Sequence, residues 1–197
     1  MTTRNIGPIV EELLRRVRQE GDLAVDVDFA TRIYSYCEQC TNAYTRRVLS
    51  TATLTTPKQK LVYNFRDEIT DAIEIIDIRE SNRRIEHFNK LHQMSAYDIN
   101  WFRNITGTRF ETWTQLGRDI LILYPGQAAA SSVDVTYVKL LTLHTNHKAA
   151  YNTASELPDE DIEFALKLAE IMLLARFRQH KPLQRRLKTM FNFLKIK

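Results

Sequence analysis

Residues 110–126 read Phe110-Glu-Thr-Trp-Thr-Gln-Leu116, Gly117-Arg118, Asp119-Ile-Leu-Ile-Leu-Tyr124, Pro125-Gly126. The first segment alternates in the manner of a half-buried strand. Gly117-Arg118 suits a tight turn. The second segment is a short apolar run of the kind that forms a buried strand, and Pro125-Gly126 stops it. Beyond it, Ser132-Val-Asp-Val-Thr-Tyr-Val-Lys139 alternates again, with Val133, Val135 and Tyr137 on one face. Together the three segments predict an antiparallel meander, so the middle of the chain is β-rich.

The same texture extends upstream. Lys60-Leu-Val-Tyr-Asn-Phe65 and Ala72-Ile-Glu-Ile-Ile-Asp-Ile-Arg79 read as strands. Arg83-Arg84-Ile85-Glu86-His87-Phe88 is a candidate third, paired through the polar Ser81-Asn82 turn. Asn89 and Asp98 are followed by short amphipathic pieces, Leu91 with Met94 and Ile99 with Trp101 and Phe102, each long enough for a turn or two of helix. Residues 106–108, Thr-Gly-Thr, read as a loop.

Both flanks change period. Pro8 suits the first position of a helix over 8–19, in which Ile9, Leu13, Leu14 and Val17 oppose Glu12, Arg15, Arg16 and Arg18. Gly21 and Asp22 break it. Asp28 is a candidate N-cap for a second helix, where Phe29, Ile33, Cys37, Cys40, Tyr44 and Val48 step by three or four residues. A Thr-rich stretch, 50–56, and Pro57 follow it. Near the other end, Asp159, Glu160 and Asp161 load negative charge onto a helix start, where the dipole favours it. Ile162, Ala165, Leu166, Ala169, Met172, Leu173 and Phe177 continue with helical spacing. Pro182 breaks the pattern, and Leu183, Leu187, Met190, Phe191 and Leu194 form a last amphipathic stripe.

The predicted fold class is therefore α+β: a helical bundle from N- and C-terminal helices with an inserted antiparallel β domain. In residue numbers, 1–50 and 155–180 form the bundle, 51–154 the β-rich insert, and 181–197 a basic C-terminal helix or arm.

Charge divides along the same lines. The chain of 197 residues holds 28 basic and 24 acidic residues, a formal net of +4. Between 176 and 197 lie eight cations (Arg176, Arg178, Lys181, Arg185, Arg186, Lys188, Lys195, Lys197) and no acid, which leaves the first 175 residues at −4. The basic pI belongs to the tail. The length and 44% hydrophobic content suit a core of its own without staples and exclude wholesale disorder. No apolar run approaches a membrane span, and Glu11 and Glu12 interrupt any signal-type apolar core.

No catalytic constellation stands out. The chain has no Gly-rich phosphate loop, no Gly-x-Ser-x-Gly elbow and no His-Glu-x-x-His. Cys37 and Cys40 form a Cys-x-x-Cys in mid-helix rather than at a helix N-terminus, so they read as small buried thiols. His144 and His147 lack a nearby carboxylate and read as loop residues. The expectation is no enzyme, no metal, no cofactor and no small-molecule substrate. The basic C-terminus has three readings: a solvated helix face, a phosphate-binding segment, or an amphipathic docking element for an acidic protein surface. Aromatic interleaving is limited to Phe191 and Phe193, which weakens the nucleic-acid reading.

In order and spacing, four segments resemble the head-to-tail adaptor (connector) proteins of tailed bacteriophages. They are the opening helix from Ile9 with the helix that follows it; the Thr-rich run leading into a strand, 51–65; Thr106-Gly-Thr-Arg109 leading through Trp113 to Ile120-Leu-Ile-Leu-Tyr-Pro125; and Leu157-Pro-Asp-Glu160 opening a long helix. Arg109 departs from the pattern, because many members carry Pro there. The resemblance spans about 9–179. It implies a structural virion protein at the head–tail interface, made in the host cytoplasm. Such a protein forms a homo-oligomeric ring, commonly dodecameric, beneath the portal and lines the channel through which double-stranded DNA passes. Implied partners are the portal protein and tail or nozzle proteins, with no membrane. By position, the portal-docking residues would be Lys181, Arg185, Arg186, Leu187, Lys188, Phe191, Leu194, Lys195 and Lys197. The loops at 104–109 and 127–131 would face the tail, with Arg103, Asn104, Thr108, Arg109 and Gln127 as contacts. The rival class is a DNA-binding accessory protein that uses the basic C-terminal helix.

Overall fold

A computed structural model describes residues 4–21, 24–117, 119–177, 184, 185, 187 and 188. Its architecture is mixed α+β. In chain order the first elements are α1 (Ile6–Gly21), α2 (Val27–Thr45), β1 (Leu49–Thr56), β2 (Val62–Asn64), α3 (Phe65–Glu68), β3 (Ala72–Glu80), β4 (Arg83–Arg84) and β5 (Glu86–His87). Then come α4 (Leu91–Tyr97), a 3-10 turn (Trp101–Arg103), β6 (Thr112–Leu116), β7 (Ile120–Tyr124), β8 (Ser131–Lys139), α5 (His147–Ala150) and α6 (Asp159–Arg176). The chain divides into two compact units, Met1–Val48 with Leu141–Lys197, and Leu49–Leu140. Residues 141–154, expected within the β insert, thus belong to the helical unit. Leu141 is buried in that unit's core, and its carbonyl accepts from Gln39 Nε2 at 2.7 Å.

In the helical unit, α1 buries Ile6, Ile9, Val10, Leu13, Leu14 and Val17 against Ala30, Tyr34 and Cys37 of α2 and Ile162, Ala165, Leu166, Ala169, Leu173 and Leu174 of α6. The helix starts two residues before Pro8, which is tolerated because first-turn N–H groups have no intrahelical acceptor. Two of those orphan donors find partners elsewhere: Ile6 N donates to Thr153 O at 2.9 Å and Gly7 N to Tyr151 O at 3.2 Å. Asp26, not Asp28, caps α2 and accepts from Phe29 N at 2.8 Å. Asp28 instead accepts from His147 N at 2.7 Å. The helix ends at Thr45, short of Val48, where Arg46 turns left-handed (φ 55°) and its N–H returns to Asn42 O. The Asn42 side chain then holds both backbone groups of Val48, at 2.8 and 3.1 Å. Arg16 joins Glu12 on its own helix to Glu163 of α6, and Arg47 joins Glu160 and the buried Asp161.

The β unit has two four-stranded sheets, ordered β1-β8-β3-β4 and β2-β7-β6-β5. Leu54, Ile75, Ile78, Val133, Val135 and Tyr137 from the first share one core with Tyr63, Trp113, Leu121 and Leu123 from the second. A separate cluster of Leu61, Met94, Ile122 and Tyr124, joined by Leu91 and Trp101, covers the other face of β7. Burial on both faces accounts for the unbroken apolar run of β7.

The expected meander is corrected in one strand. β6 and β7 pair antiparallel, but β8 lies in the other sheet between β1 and β3. Both edges of β7 are already taken, by β2 and β6, whereas the nine residues of β8 match the eight of β1 and the nine of β3. The Thr-rich stretch is therefore a full strand. The expected strand over 83–88 also splits. β4 extends the first sheet through a two-residue turn in which Ser81 and Asn82 both have positive φ, as such hairpins require. Ile85 is fully buried, and after it β5 pairs with β6 in parallel, so the insert is not wholly antiparallel.

Candidate functional site

The two loops named from the sequence meet at one end of β7. Backbone bonds stitch them: Gly107 N donates to Gly126 O at 2.7 Å, Ala128 N to Gly107 O at 3.0 Å, and Gly126 N to Asn104 O at 3.0 Å. Gly107 and Gln127 form an isolated parallel bridge. The glycines are there for space. A Cβ on Gly107 would lie 2.3 Å from Pro125 Cγ, and one on Gly126 would lie 3.0 Å from Ile105 Cα and 3.3 Å from Lys60 O. The bond before Pro125 is cis, so the chain doubles back directly after β7.

Side chains finish the stitching. Asn104 Nδ2 donates to Tyr124 Oη at 3.0 Å, and that hydroxyl donates to Asp98 Oδ2 at 2.6 Å. Burial, with Asp98 alongside, pushes the Tyr124 hydroxyl up to about 12. The same hydrogen bond holds the Asp98 carboxyl below the usual aspartate range, assisted by Asn100 N–H.

Of the tail-facing residues expected from the resemblance, Arg103, Thr108 and Arg109 are exposed and Asn104 is half-buried. Gln127 is a correction: it is 4% exposed and serves the fold. Its Nε2 donates to Pro125 O at 3.1 Å, and its carbonyl accepts from Gln59 N at 2.6 Å. The loop needs that side chain inside, because its neighbours Pro125 and Gly126 leave the turn no other polar filler. The residues that sequence reasoning missed are Ile99 and Phe102. Both looked like the apolar side of a short helix, yet they are 80% and 53% exposed.

Of the portal-docking set, Arg185 and Lys188 are exposed helical residues and Leu187 is half-buried. Lys181, Arg186, Phe191, Leu194, Lys195 and Lys197 lie outside the described residues.

Elsewhere, Cys37 is buried with Sγ 3.5 Å from Met172 Sδ, while Cys40 is only partly buried. Burial pushes the Cys37 thiol far above its ordinary range. The His147 ring sits 3.3 Å from Thr31 Oγ1 and edge-on to Tyr151. Among the described residues, no group of three His, Cys, Asp or Glu side chains is placed to hold a metal ion. Among the same residues, no helix is long and apolar enough to cross a membrane. No family model matches the chain, and no curated protein shows significant similarity to it.

Proposed function

We propose that this chain is a head-to-tail connector of a tailed bacteriophage, a non-enzymatic virion component. In this reading the N- and C-terminal helices are a bundle that packs into a ring beneath the portal, and the intervening β unit faces the tail. The segment 181–197 docks on the portal. Its cations meet an acidic surface, and Leu187, Phe191 and Leu194 seat in a groove. The excess of acid over base in the first 175 residues suits a channel wall that repels passing DNA.

One observation carries the reading furthest. The Thr-Gly-Thr and Pro-Gly loops, which are part of the resemblance, are locked together by backbone bonds and close-packed glycines at one end of the β unit. Interaction surfaces gain affinity when such a loop is already held in its bound shape.

The test uses the portal protein encoded beside this chain. Full-length protein binds it, whereas a variant lacking 181–197 keeps its circular dichroism and thermal transition but loses the portal. Retained binding by the truncated chain would overturn the docking assignment. The rival, a DNA-binding accessory protein, is favoured by the eight cations between 176 and 197. It requires tight duplex binding by the isolated chain, with log affinity falling steeply as log salt rises.

A further inference from the structure

We propose that residues 98–103 form a docking tip, which inserts Ile99 and Phe102 into an apolar pocket rimmed by carboxylates on a partner protein. Single exposed apolar residues are ordinary on any protein surface. Here two large ones, 80% and 53% exposed, share a six-residue segment whose intervening Trp101 turns inward. Trp101 packs with Leu91 and Ile105 on the cluster of Met94, Ile122 and Tyr124, and its Nε1 donates to Ser95 Oγ at 3.2 Å. The backbone is pinned as well. Trp101 N donates to Asp98 O at 3.1 Å, Arg103 N to Asn100 O at 2.8 Å, and Asn104 N to Trp101 O at 3.3 Å. Ile99 and Phe102 are thus held in water by a fixed frame, the condition under which a small apolar anchor contributes most to binding.

Charge selects the partner. The acids of this region are occupied by tyrosines: Asp98 accepts from Tyr124, and Glu111 accepts from Tyr97 Oη at 2.8 Å. Arg103 is different. Its guanidinium lies 5.3 Å from the Phe102 ring centre, exposed, with no ion-pair partner among the described residues. The tip therefore presents an aliphatic knob, an aromatic ring and a cation, and its complement is an apolar pocket with carboxylates at the rim. A nucleic acid fits less well. Ile99 has no face on which a base can stack, and a phosphate backbone provides no pocket for it.

The partner's identity rests on the connector reading, which makes it a tail-side protein; the chemistry of the tip does not. The probes are a short peptide alternating Glu with Leu and Phe, its twin with Lys for Glu, and a duplex oligonucleotide, each titrated into the full chain by fluorescence anisotropy. The acidic peptide is expected to bind at least about tenfold more tightly than its twin and than the duplex. Ile99→Ser and Arg103→Glu each weaken it about tenfold, with the thermal transition unchanged because both residues are exposed. Equal binding of the two peptides, preference for the duplex, no binding of the acidic peptide, or indifference to both substitutions overturns the tip. Binding as expected by a chain that is missing from the head–tail junction overturns the connector reading and leaves the tip standing.

Discussion

Ser155 donates its hydroxyl to Glu38 Oε1 at 2.5 Å, with both residues only 2% exposed. The contact joins α2 to the segment leading into α6. The same serine accepts from Leu157 N at 3.2 Å, and its own N–H donates to Arg4 O at 2.9 Å. One buried carboxylate thus anchors the loop that pairs with the start of α1. Burial pushes Glu38 up to about 7, and nearby Glu156 adds to the rise, against the opposing pull of Ser155 and Tyr34.

A group whose folded pKa is raised lends stability that is complete at low pH and is lost as pH rises. For Glu38 the loss runs from about 4.5, its ordinary value, through about 7. Glu38→Gln keeps an oxygen for Ser155 and cannot ionise. The variant should match the wild type near pH 4.5 and exceed it above pH 7, with a flatter profile of melting temperature against pH. Parallel profiles for the two proteins would show that Glu38 does not titrate in this range.

Gly107 tests the stitched loops. With Pro125 Cγ 2.3 Å from where its Cβ would stand, Gly107→Ala forces the two loops apart. The expected cost is about 1–3 kcal/mol in chemical denaturation, typical of overpacking. Amide exchange should rise at Gly107, Gly126 and Ala128, whose N–H groups make the stitch. Unchanged exchange at all three would mean that the loops are not held by this contact.

Tyr124→Phe removes one hydroxyl that serves both Asp98 and Asn104. The Asp98 carboxyl, now held low by that hydrogen bond, should rise toward its ordinary value of 3.8 in an NMR titration. An unmoved Asp98 would assign its low value to the Asn100 N–H instead.

Local pattern exposed the elements more readily than their partners. The helical period of Ile9, Leu13 and Val17 and the alternation of Val133, Val135 and Tyr137 each correspond to buried faces. Pairing was less legible, because it depends on which edges remain free. β8 follows β7 in sequence, yet β7 has no edge left for it. The polar, Thr-rich β1 carried little apolar signal, since as an edge strand it buries only Leu54 and Thr56. At the candidate site, Gly107 and Gly126 pointed to a turn, but not to each other. Ile99 and Phe102 looked like core because hydropathy does not record which side of a short turn meets the protein, and Trp101 between them took the inward place.

The central claim is that this chain forms a ring between portal and tail, and electron microscopy of the assembled particle tests it most directly. The account predicts a ring of copies of this chain beneath the portal, with 181–197 against the portal and the loops at 104–109 toward the tail. A particle whose head–tail junction lacks this chain would contradict it.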